Sequence, residues 1–427
     1  MKRYFQSIRS MPALLTCSVT LAVGSAGANS FIDDSTASMT LRNFYLDRNY
    51  VGDSNVAARR EWAQGIIFGF KSGYTDTTVG LGLDLLSQTG VKLDSSPDRV
   101  GTGLLPIGSD GHAEDNYSKL GATLKARYAK SELQVGTVTP FLPILFSSPT
   151  RLLQQNFRGA YLRSSDIDRL SLHAGYIDRV IQRDAEHMDK MGVGAPNGRF
   201  NGGARSEQFM FLGGDYQLTD GLTLRYYYAQ LEDLYEQHYG GAVHKMPLGE
   251  GQVKTDVRYF ISDEHGDALA GPVDNRNIGV FVSYGLGSHT LGAGYMALSG
   301  DTAMPYISGS EPLVNTEGAL SSEFLNPEEK TWQVRYDYDF AGVGVPGLKG
   351  MIRYFKGTDV NLPAFGGEGL EESSRDLELS YAVQSGALKG LALRLRHAMY
   401  RNDFADNAAF RDGDETRVNI DYSRKFW

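Results

Sequence analysis

Hydrophobic and polar residues alternate with a period of two along almost all of the chain beyond residue 30. Between Thr78 and Leu86, one face carries Val79, Leu81, Leu83 and Leu85, whereas the other carries Thr, Gly and Asp. Alternation of this kind predicts β-strands whose two faces meet different surroundings. Helical periodicity is scarce, and no shift in composition divides the chain. Residues 29–427 are therefore predicted to form one all-β domain.

The stretch from Ile278 to Tyr295 shows how neighbouring strands are connected. Ile278, Val280 and Val282 share the apolar face of one strand, and Leu291, Ala293 and Tyr295 share the apolar face of the next. The segment Gly285-Leu286-Gly287-Ser288 lies between them. Two alternating runs joined by a glycine-rich turn are typical of a β-hairpin, so the sheet is predicted to be antiparallel.

The polar faces distinguish a soluble sandwich from a membrane barrel. A sandwich buries its apolar faces in a core, whereas an outer-membrane barrel turns them toward lipid and lines its interior with polar residues. Here the polar faces carry Gly, Thr and repeated Lys or Arg, and apolar faces end in Tyr128, Tyr284 and Tyr295. A bilayer also requires the sheet to close. The pattern favours a transmembrane antiparallel β-barrel of about 16–20 strands around an aqueous lumen.

The C-terminal segment fits a closing strand. Val418, Ile420, Tyr422 and Phe426 share one face, while polar residues that include Arg417 and Asp421 share the other. Barrels of this kind typically end on an aromatic residue. The terminal residue is Trp427, but the aromatic residue in phase with the apolar face is Phe426.

One apolar segment, residues 136–159, does not alternate. It reads GTVTPFLPILFSSPTRLLQQNFRG and contains Pro140, Pro143 and Pro149. Proline is excluded from the middle of a sheet, so this segment is predicted to be a loop. Its apolar character favours an inward-folded constriction loop over a long external loop, because external loops are usually more polar.

The first 28 residues have the features of an export signal. Lys2, Arg3 and Arg9 precede the apolar stretch 11–23, and Ala26-Gly27-Ala28 fits a small-residue cleavage site. A removed signal peptide is therefore predicted for residues 1–28. A short buried helix is the alternative for this stretch.

Charge and cysteine content narrow the range of functions. The net charge of −9 becomes −12 without residues 1–28, which argues against nucleic-acid binding. The single cysteine, Cys17, lies in the predicted signal peptide. A mature chain without cysteine excludes a disulfide scaffold, a thiolate zinc site and a cysteine nucleophile. The sequence indicates neither a cofactor nor a metal centre.

Blocks along the chain resemble the OprD family, the substrate-specific outer-membrane porins of pseudomonads and their relatives. The inward segment is similar to the family pattern GT-x-x-P-x-LPVL…R-LL-P-Q-x-F-x-G. The other blocks follow in family order: FIDDSTASMTLRNFYLDRNY (31–50), GDYQLTDGLTLRYYYAQLEDLYEQHY (214–239), DALAGPVDN (267–275), YGLGSHTLGAGYMALSGDT (284–302), WQVRYDYDF (332–340), GVPGLKGMIRYFKG (344–357), LRLRHAMYR (393–401) and ETRVNIDY (415–422).

The resemblance implies a monomeric barrel of 18 strands with a narrow eyelet and a row of lumenal basic side chains. Weak association through lipid-facing surfaces stays open. Alternation itself places several basic residues on non-lipid faces: Arg42, Lys125, Arg127, Arg394, Arg396 and Arg417. By resemblance, Arg42, Arg394, Arg396 and Arg417 belong to the basic row, Arg151 and Arg158 to the eyelet, and Glu323 is the acidic partner facing it. For any one arginine, the alternative is a structural wall residue paired with a neighbouring acid.

The expected function is passive, selective uptake of small carboxylate-bearing solutes across the outer membrane of a Gram-negative bacterium. The solutes would be amino acids or aromatic or cyclic carboxylates, and lipid and lipopolysaccharide would surround the barrel. No enzymatic activity is expected. Pro149, Gln154, Asn156 and Ser321 depart from the family pattern around the eyelet, so the solute itself stays open. An outer-membrane hydrolase and a structural or adhesive barrel are the alternatives.

Overall fold

A computed structural model describes residues 28–52, 56–405 and 408–427. Its 18 wall strands form a single antiparallel sheet, which closes because the first strand pairs with the last. The predicted transmembrane barrel architecture with about 18 strands is confirmed. The predicted signal peptide, except for Ala28, lies outside the described residues.

The wall strands follow one another around the barrel in chain order. They are β1 (Thr36–Tyr50), β2 (Ala58–Lys71), β3 (Gly80–Ser95), β4 (Asn116–Tyr128), β5 (Ser131–Val138), β8 (Asn156–Ser164), β9 (Leu170–Ile181), β10 (Phe209–Gln217), β11 (Leu222–Leu231), β12 (Tyr235–Leu248), β13 (Gly251–Glu264), β14 (Asp274–Leu286), β15 (His289–Ser299), β16 (Lys330–Asp339), β17 (Leu348–Leu362), β18 (Gly367–Ala382), β19 (Leu391–Asn402) and β20 (Gly413–Lys425). A separate hairpin consists of β6 (Phe141–Leu142) and β7 (Leu145–Phe146).

Helical structure is confined to short pieces among the described residues. The helix α1 (Ala28–Asp33) precedes β1, and the 3₁₀ turns are Pro97–Arg99, Pro196–Gly198, Phe340–Val343 and Pro363–Phe365. No helix in the described ranges is long and apolar enough to cross a membrane.

The two ends of the barrel differ in the length of their connections. One end carries tight turns, including residues 129–130, 249–250 and 287–288, together with the start of β1 and the end of β20. The other end carries the long loops 96–115, 139–155, 182–208 and 300–329. In outer-membrane barrels the short turns face the periplasm and the long loops face the outside.

The predicted hairpin at residues 278–295 is present as β14 and β15. Leu286 lies opposite His289, and Gly287 in the turn has a φ of 56°. That left-handed backbone suits glycine because glycine has no Cβ to clash.

Burial along β4 shows which face points outward. Leu120 and Leu124 are 73% and 66% exposed, whereas Lys119 and Thr123, each directly before one of them, are buried. Exposed aliphatic residues on the outside and buried polar residues on the inside reverse the arrangement of a soluble protein. The period-two pattern therefore reports the lipid-facing and lumen-facing sides of the wall.

An apolar cluster fills one side of the barrel interior. Wall strands β8 to β13 contribute Phe157, Phe209, Tyr227 and Phe260, and the long loops contribute residues such as Leu142, Met304 and Phe324. Because these side chains occupy the interior on that side, the open path is displaced toward the opposite wall.

The C-terminal aromatic residues lie beyond the last strand. The backbone N–H of Phe426 donates to the carbonyl of Ala37 at 2.8 Å, and Trp427 Nε1 donates to Ser35 Oγ at 2.9 Å. These bonds fasten the chain end to the start of β1. The offset between Phe426 and Trp427 thus falls outside the alternating strand, which ends at Lys425.

Candidate functional site: the lumenal constriction

Residues 139–155 form a constriction loop inside the barrel. Arg42 Nη1 donates to the carbonyl oxygens of Pro149 and Arg151 at 3.4 and 3.2 Å, and Lys119 Nζ donates to that of Gln154 at 2.8 Å. The predicted bounds, 136–159, were too wide. Val138 lies opposite Phe157 in the pairing of β5 with β8, so both ends of the predicted segment belong to the wall.

Hydrogen bonds between residues of the constriction loop also fix its conformation. The backbone N–H of Ser147 donates to the carbonyl of Pro140 at 2.9 Å, and Ser147 Oγ donates to that of Gln155 at 2.5 Å. Gln154 Nε2 donates to the carbonyl of Ser147 at 3.0 Å. Prolines remove backbone donors in this stretch, and side chains supply the missing hydrogen bonds. The loop is therefore preorganised.

Two cavities meet at the constriction loop. The inner cavity, on the short-turn side, has a volume of about 650 Å³, and the outer cavity, on the long-loop side, about 510 Å³. Thr150, Arg151 and Arg396 line both cavities. We call the passage between these three residues the eyelet.

All four arginines of the predicted basic row line these cavities, together with Arg151 of the predicted eyelet. Arg42 and Arg394 line the inner cavity, Arg417 lines the outer cavity, and Arg151 and Arg396 line both. Arg42, Arg394, Arg396 and Arg417 come from β1, β19 and β20, which are adjacent strands around the barrel closure. The cavities thus run along the wall opposite the apolar cluster.

Three of these arginines have carboxylate partners. Arg42 Nε pairs with Asp421 Oδ1 at 3.0 Å, Arg394 Nη2 pairs with Glu378 Oε2 at 2.6 Å, and Arg417 pairs with Glu415. These pairs match the alternative in which an arginine is a wall residue balanced by a neighbouring acid.

The two arginines of the eyelet differ from these three, because their hydrogen-bond partners are carbonyl and amide oxygens. Arg151 donates to the carbonyls of Thr102 and Thr150 at 3.0 and 3.2 Å, and Arg396 donates to Asn419 Oδ1 at 2.8 Å. Neither makes an ion pair with a carboxylate among the described residues. The eyelet therefore carries two guanidinium groups that form no ion pair with a carboxylate of the described residues.

The environment of Arg151 is unfavourable for a cation. Burial, followed by the neighbouring Arg417 and Arg183 guanidinium groups, lowers the pKa of Arg151 well below its usual range. Arginine nevertheless stays protonated in proteins. The result is a fixed positive charge for which an entering anion is a favourable partner.

Comparison with known proteins identifies the molecule to which this constriction belongs. The family model described as "outer membrane porin, OprD family" matches residues 29–426. The chain belongs to the OprD family. Porin-like protein GalP of Pseudomonas putida is 36% identical over 397 residues, covering 92% of this chain and 93% of the relative. Porin D of Pseudomonas aeruginosa is 34% identical over 419 residues, covering 93% and 92%.

Solved structures of similar proteins share the OprD-family fold. OccAB3 of Acinetobacter baumannii has a TM-score of 0.90 and 42% identity, covering 92% of this chain and all of the other. Pseudomonas aeruginosa OpdK, solved with vanillate, has a TM-score of 0.85 and 36% identity, covering 93% of this chain and all of the other. This chain is accordingly a substrate-specific porin of the outer membrane of a Gram-negative bacterium, and its family consists of channels.

Glu323 is the residue that the resemblance implies as the acid facing the eyelet. It lines the outer cavity, where Arg199 Nη1 donates to its Oε2 at 2.8 Å and the Tyr306 hydroxyl donates to its Oε1 at 2.5 Å. It lines only one of the two cavities, and Arg199, whose side chain is fully buried, neutralises its carboxylate. Glu323 instead joins loop 300–329 to loop 182–208.

Lys125 and Arg127 face the interior but do not line either cavity. Lys125 pairs with Asp84 at 2.6 Å and donates to the carbonyl of Ser72 at 2.8 Å. The guanidinium of Arg127 lies 4.1 Å from the centre of the Tyr74 ring. Their predicted place on the solute path is corrected, because the turn after β2 carries Tyr74 against them.

Arg158 belongs to the outer face of the wall. It lies on the same side of β8 as Leu162, which is 41% exposed, and its Nε donates to Asp178 Oδ1 at 2.9 Å. It does not line either cavity. The eyelet role implied by the resemblance is corrected, because Arg158 alternates with the buried residues Phe157 and Tyr161 and so faces away from the lumen.

Three further arginines line the outer cavity and were not predicted. They are Arg48, Arg59 and Arg183. Arg48 could have been found, since it lies six residues beyond Arg42 on the same face of β1. Arg183 follows the end of β9 in an irregular loop, where alternation gives no direction.

Proposed function

We propose that this porin admits small solutes that carry a carboxylate, and that Arg151 and Arg396 select them at the eyelet. The observation that carries this proposal is the absence of a carboxylate partner for either guanidinium among the described residues. Both side chains line the cavities on the two sides of the constriction. A solute crossing between the cavities must pass them.

Arginine suits this selection chemically. Its planar guanidinium offers parallel N–H groups that match the two oxygens of a carboxylate. At Arg151 and Arg396 those groups are held by carbonyl and amide oxygens, which orient them without cancelling their charge. Low-dielectric walls around a narrow aqueous path strengthen the attraction for anions.

The paired arginines provide weaker positions on either side. Arg42 and Arg394 in the inner cavity are already balanced by Asp421 and Glu378. Each exposed contact with a solute is therefore worth about 1 kcal/mol or less. Weak sites in series favour passage, because one deep site would retain the solute. Solutes would move from Arg417 through the eyelet to Arg394.

The comparison structures support the chemical class. OpdK was solved with vanillate, an aromatic carboxylate. The cavities of about 510 and 650 Å³ are large enough for a solute of one ring. Amino acids and cyclic carboxylates fit the same two guanidinium groups. The proposal therefore extends to the class and not to one compound.

The test is conductance of the mature protein in planar bilayers under a salt gradient. We expect a reversal potential showing anion preference, and current interruptions with benzoate, vanillate or succinate but not with uncharged glucose. Arg151→Gln and Arg396→Gln should each reduce the anion preference. Arg158→Gln removes one arginine from the outer face and serves as the control.

Two results would contradict the proposal. One is an unchanged reversal potential in both eyelet variants of correctly folded barrels. The other is interruption by glucose to the same extent as by the carboxylates. A folded barrel without any conductance would instead favour a structural or enzymatic role.

A further inference from the structure

Four adjacent strands carry outward-facing basic residues on the long-loop side of their exposed apolar residues. They are Lys330 on β16, Lys356 on β17, Arg375 on β18 and Arg401 on β19. The same faces carry exposed apolar residues further along each strand: Trp332 (62%), Ile352 (58%), Leu377 (40%) and Leu395 (47%). These cations therefore lie on the outer surface of the barrel, at the edge of the exposed apolar surface that is nearer to the long loops.

Register brings three of them together. Lys356 and Arg401 both lie opposite Ser373 of the strand between them. Arg375 lies two residues from Ser373 on that strand, opposite Tyr354 and Met399. Strand spacing of about 4.8 Å and a rise of about 3.3 Å per residue put the three Cα atoms within about 10 Å of one another. We call Lys356, Arg375 and Arg401 the cationic patch.

The members of the cationic patch differ in their partners. Lys356 pairs with Glu371, and Arg401 Nη1 pairs with Asp414 Oδ1 at 2.9 Å. Arg375 is exposed and makes no side-chain hydrogen bond or ion pair with any residue that the structure describes. It is flanked by two further cations, so its charge is not compensated by the wall itself.

An unpaired guanidinium on this surface requires an external partner. Arginine on the lipid face of a barrel is costly within the hydrocarbon and becomes tolerable near the interface, where it reaches polar head groups. Trp332 and Tyr354 lie beside the patch, and such aromatic residues mark the interface between membrane and water. The long-loop side is the outer leaflet.

The patch is a local feature of the barrel. Five and six strands away from β18, the rim carries outward-facing acidic residues that include Asp263 on β13 and Glu236 on β12. Arg276 on β14 faces outward as well, but it is neutralised by Asp263 at 3.0 Å and Asp274 at 3.3 Å. The outer surface therefore does not carry uncompensated cations all around the barrel: the rim at β12 to β14 is acidic or neutralised, whereas the cationic patch is not.

We propose that Arg375, flanked by Lys356 and Arg401, binds a phosphate group of the phosphorylated glycolipid in the outer leaflet. The guanidinium fork matches phosphate oxygens in two parallel hydrogen bonds. Lys356 and Arg401 add charge on either side while they keep their own carboxylates. The site holds a structural lipid at one position on the wall and is independent of solute passage.

The experiment measures glycolipid that stays bound to barrels purified in mild detergent, by native mass spectrometry. We expect a bound phosphorylated glycolipid in the wild type and about tenfold lower occupancy in Arg375→Gln. Arg276→Gln, which removes an outward arginine already paired with acids, should keep wild-type occupancy. A Lys356→Gln/Arg401→Gln double variant should also lose occupancy. Resistance of the barrel to unfolding in cold detergent confirms folding of each variant.

A second arm uses wild-type protein and needs no substitution. Delipidated barrels receive purified lipid A, enzymatically dephosphorylated lipid A, or inorganic phosphate. Binding of lipid A alone supports the proposal. Equal binding of the dephosphorylated lipid, displacement by an equal concentration of inorganic phosphate, or undiminished occupancy in Arg375→Gln would overturn it.

Discussion

Arg42 on the first strand donates a hydrogen bond at 3.2 Å to the carbonyl oxygen of Arg151, 109 residues further along the chain. The same guanidinium pairs with Asp421 on the last strand at 3.0 Å. One side chain therefore ties the constriction loop to both strands that close the barrel. Since Arg151 also presents its guanidinium to the eyelet, the position of the eyelet depends on this link.

Replacing Arg42 should loosen the constriction loop. Arg42→Met removes hydrogen bonds from a charged donor, each worth about 1.5–3 kcal/mol. We expect larger single-channel conductance and greater open-channel noise. Arg394→Met is the matched control, because it removes one lumenal cation that contacts Glu378 and not the loop. Equal noise in the two variants would show that charge, and not anchoring, is responsible.

Lys119 should matter more for stability than for selectivity. This buried lysine donates to the carbonyls of Gln154 and Gln182, both at 2.8 Å, and so joins the constriction loop to the end of β9. Lys119→Met leaves the carbonyl of Gln154 without a donor among the described residues, at about 1–3 kcal/mol, and leaves that of Gln182 with the backbone N–H of Ala185 at 3.3 Å. Thermal unfolding should shift downward, whereas Lys130→Met in an exposed turn should not change it. A variant as stable as wild type would refute this anchoring role.

The anchoring of loop 300–329 should depend on pH. Glu329 is buried and accepts hydrogen bonds from the backbone N–H and Nδ2 of Asn326, both at 3.0 Å. Burial, followed by the carboxylate of Glu372, raises the pKa of Glu329 well above its usual range. The folded loop therefore favours protonated Glu329. This stabilisation is complete below the unfolded pKa of about 4.3 and is lost as pH rises through the raised value.

Limited proteolysis at pH values between about 5 and about 9 would test this. We expect cleavage within loop 300–329 to increase with pH in the wild type. Glu329→Gln keeps a neutral hydrogen-bonding side chain and should remove most of this dependence. Other groups around the site, Glu372, Tyr400 and Arg199, stay unchanged in that comparison. A variant with the wild-type pH profile would disprove the assignment to Glu329.

Glu323 should influence selectivity through Arg199. Glu323→Gln removes a carboxylate that lines the outer cavity and balances the buried Arg199. The reversal potential should shift further toward anions. Glu114→Gln, at an exposed acidic residue outside the cavity lining, makes the same change in total charge and should have no effect. The absence of a shift in Glu323→Gln would mean that this carboxylate does not act on the path.

Alternation predicted the fold because a barrel wall has only two environments. Lipid and water each select one class of side chain, so residues such as Leu120 and Lys119 report their faces directly. The prolines of residues 136–159 likewise marked the constriction loop, since a sheet excludes them. The loop bounds were less accurate because Val138 and Phe157 are apolar but still pair in the wall.

The candidate site was predicted less completely. Alternation gives the face of a residue but not what covers it, which is why Lys125 and Arg127 were placed on the path although Tyr74 packs against them. The resemblance placed Arg158 at the eyelet, whereas the structure places it on the outer face of the wall. Arg183 and Arg199 lie in a long loop whose course depends on tertiary contacts. Their roles required three-dimensional structure.

The pairing of β1 with β20 has a consequence for biogenesis. Arg42 lies on β1 and Arg417 on β20, so the charged lining of the pore spans the seam where the two ends of the chain meet. A barrel whose first and last strands have not yet paired lacks that lining. In it, Asp421 cannot orient the Arg42 side chain that holds the constriction loop. The lining and the loop anchor are therefore complete only once the first and last strands have paired.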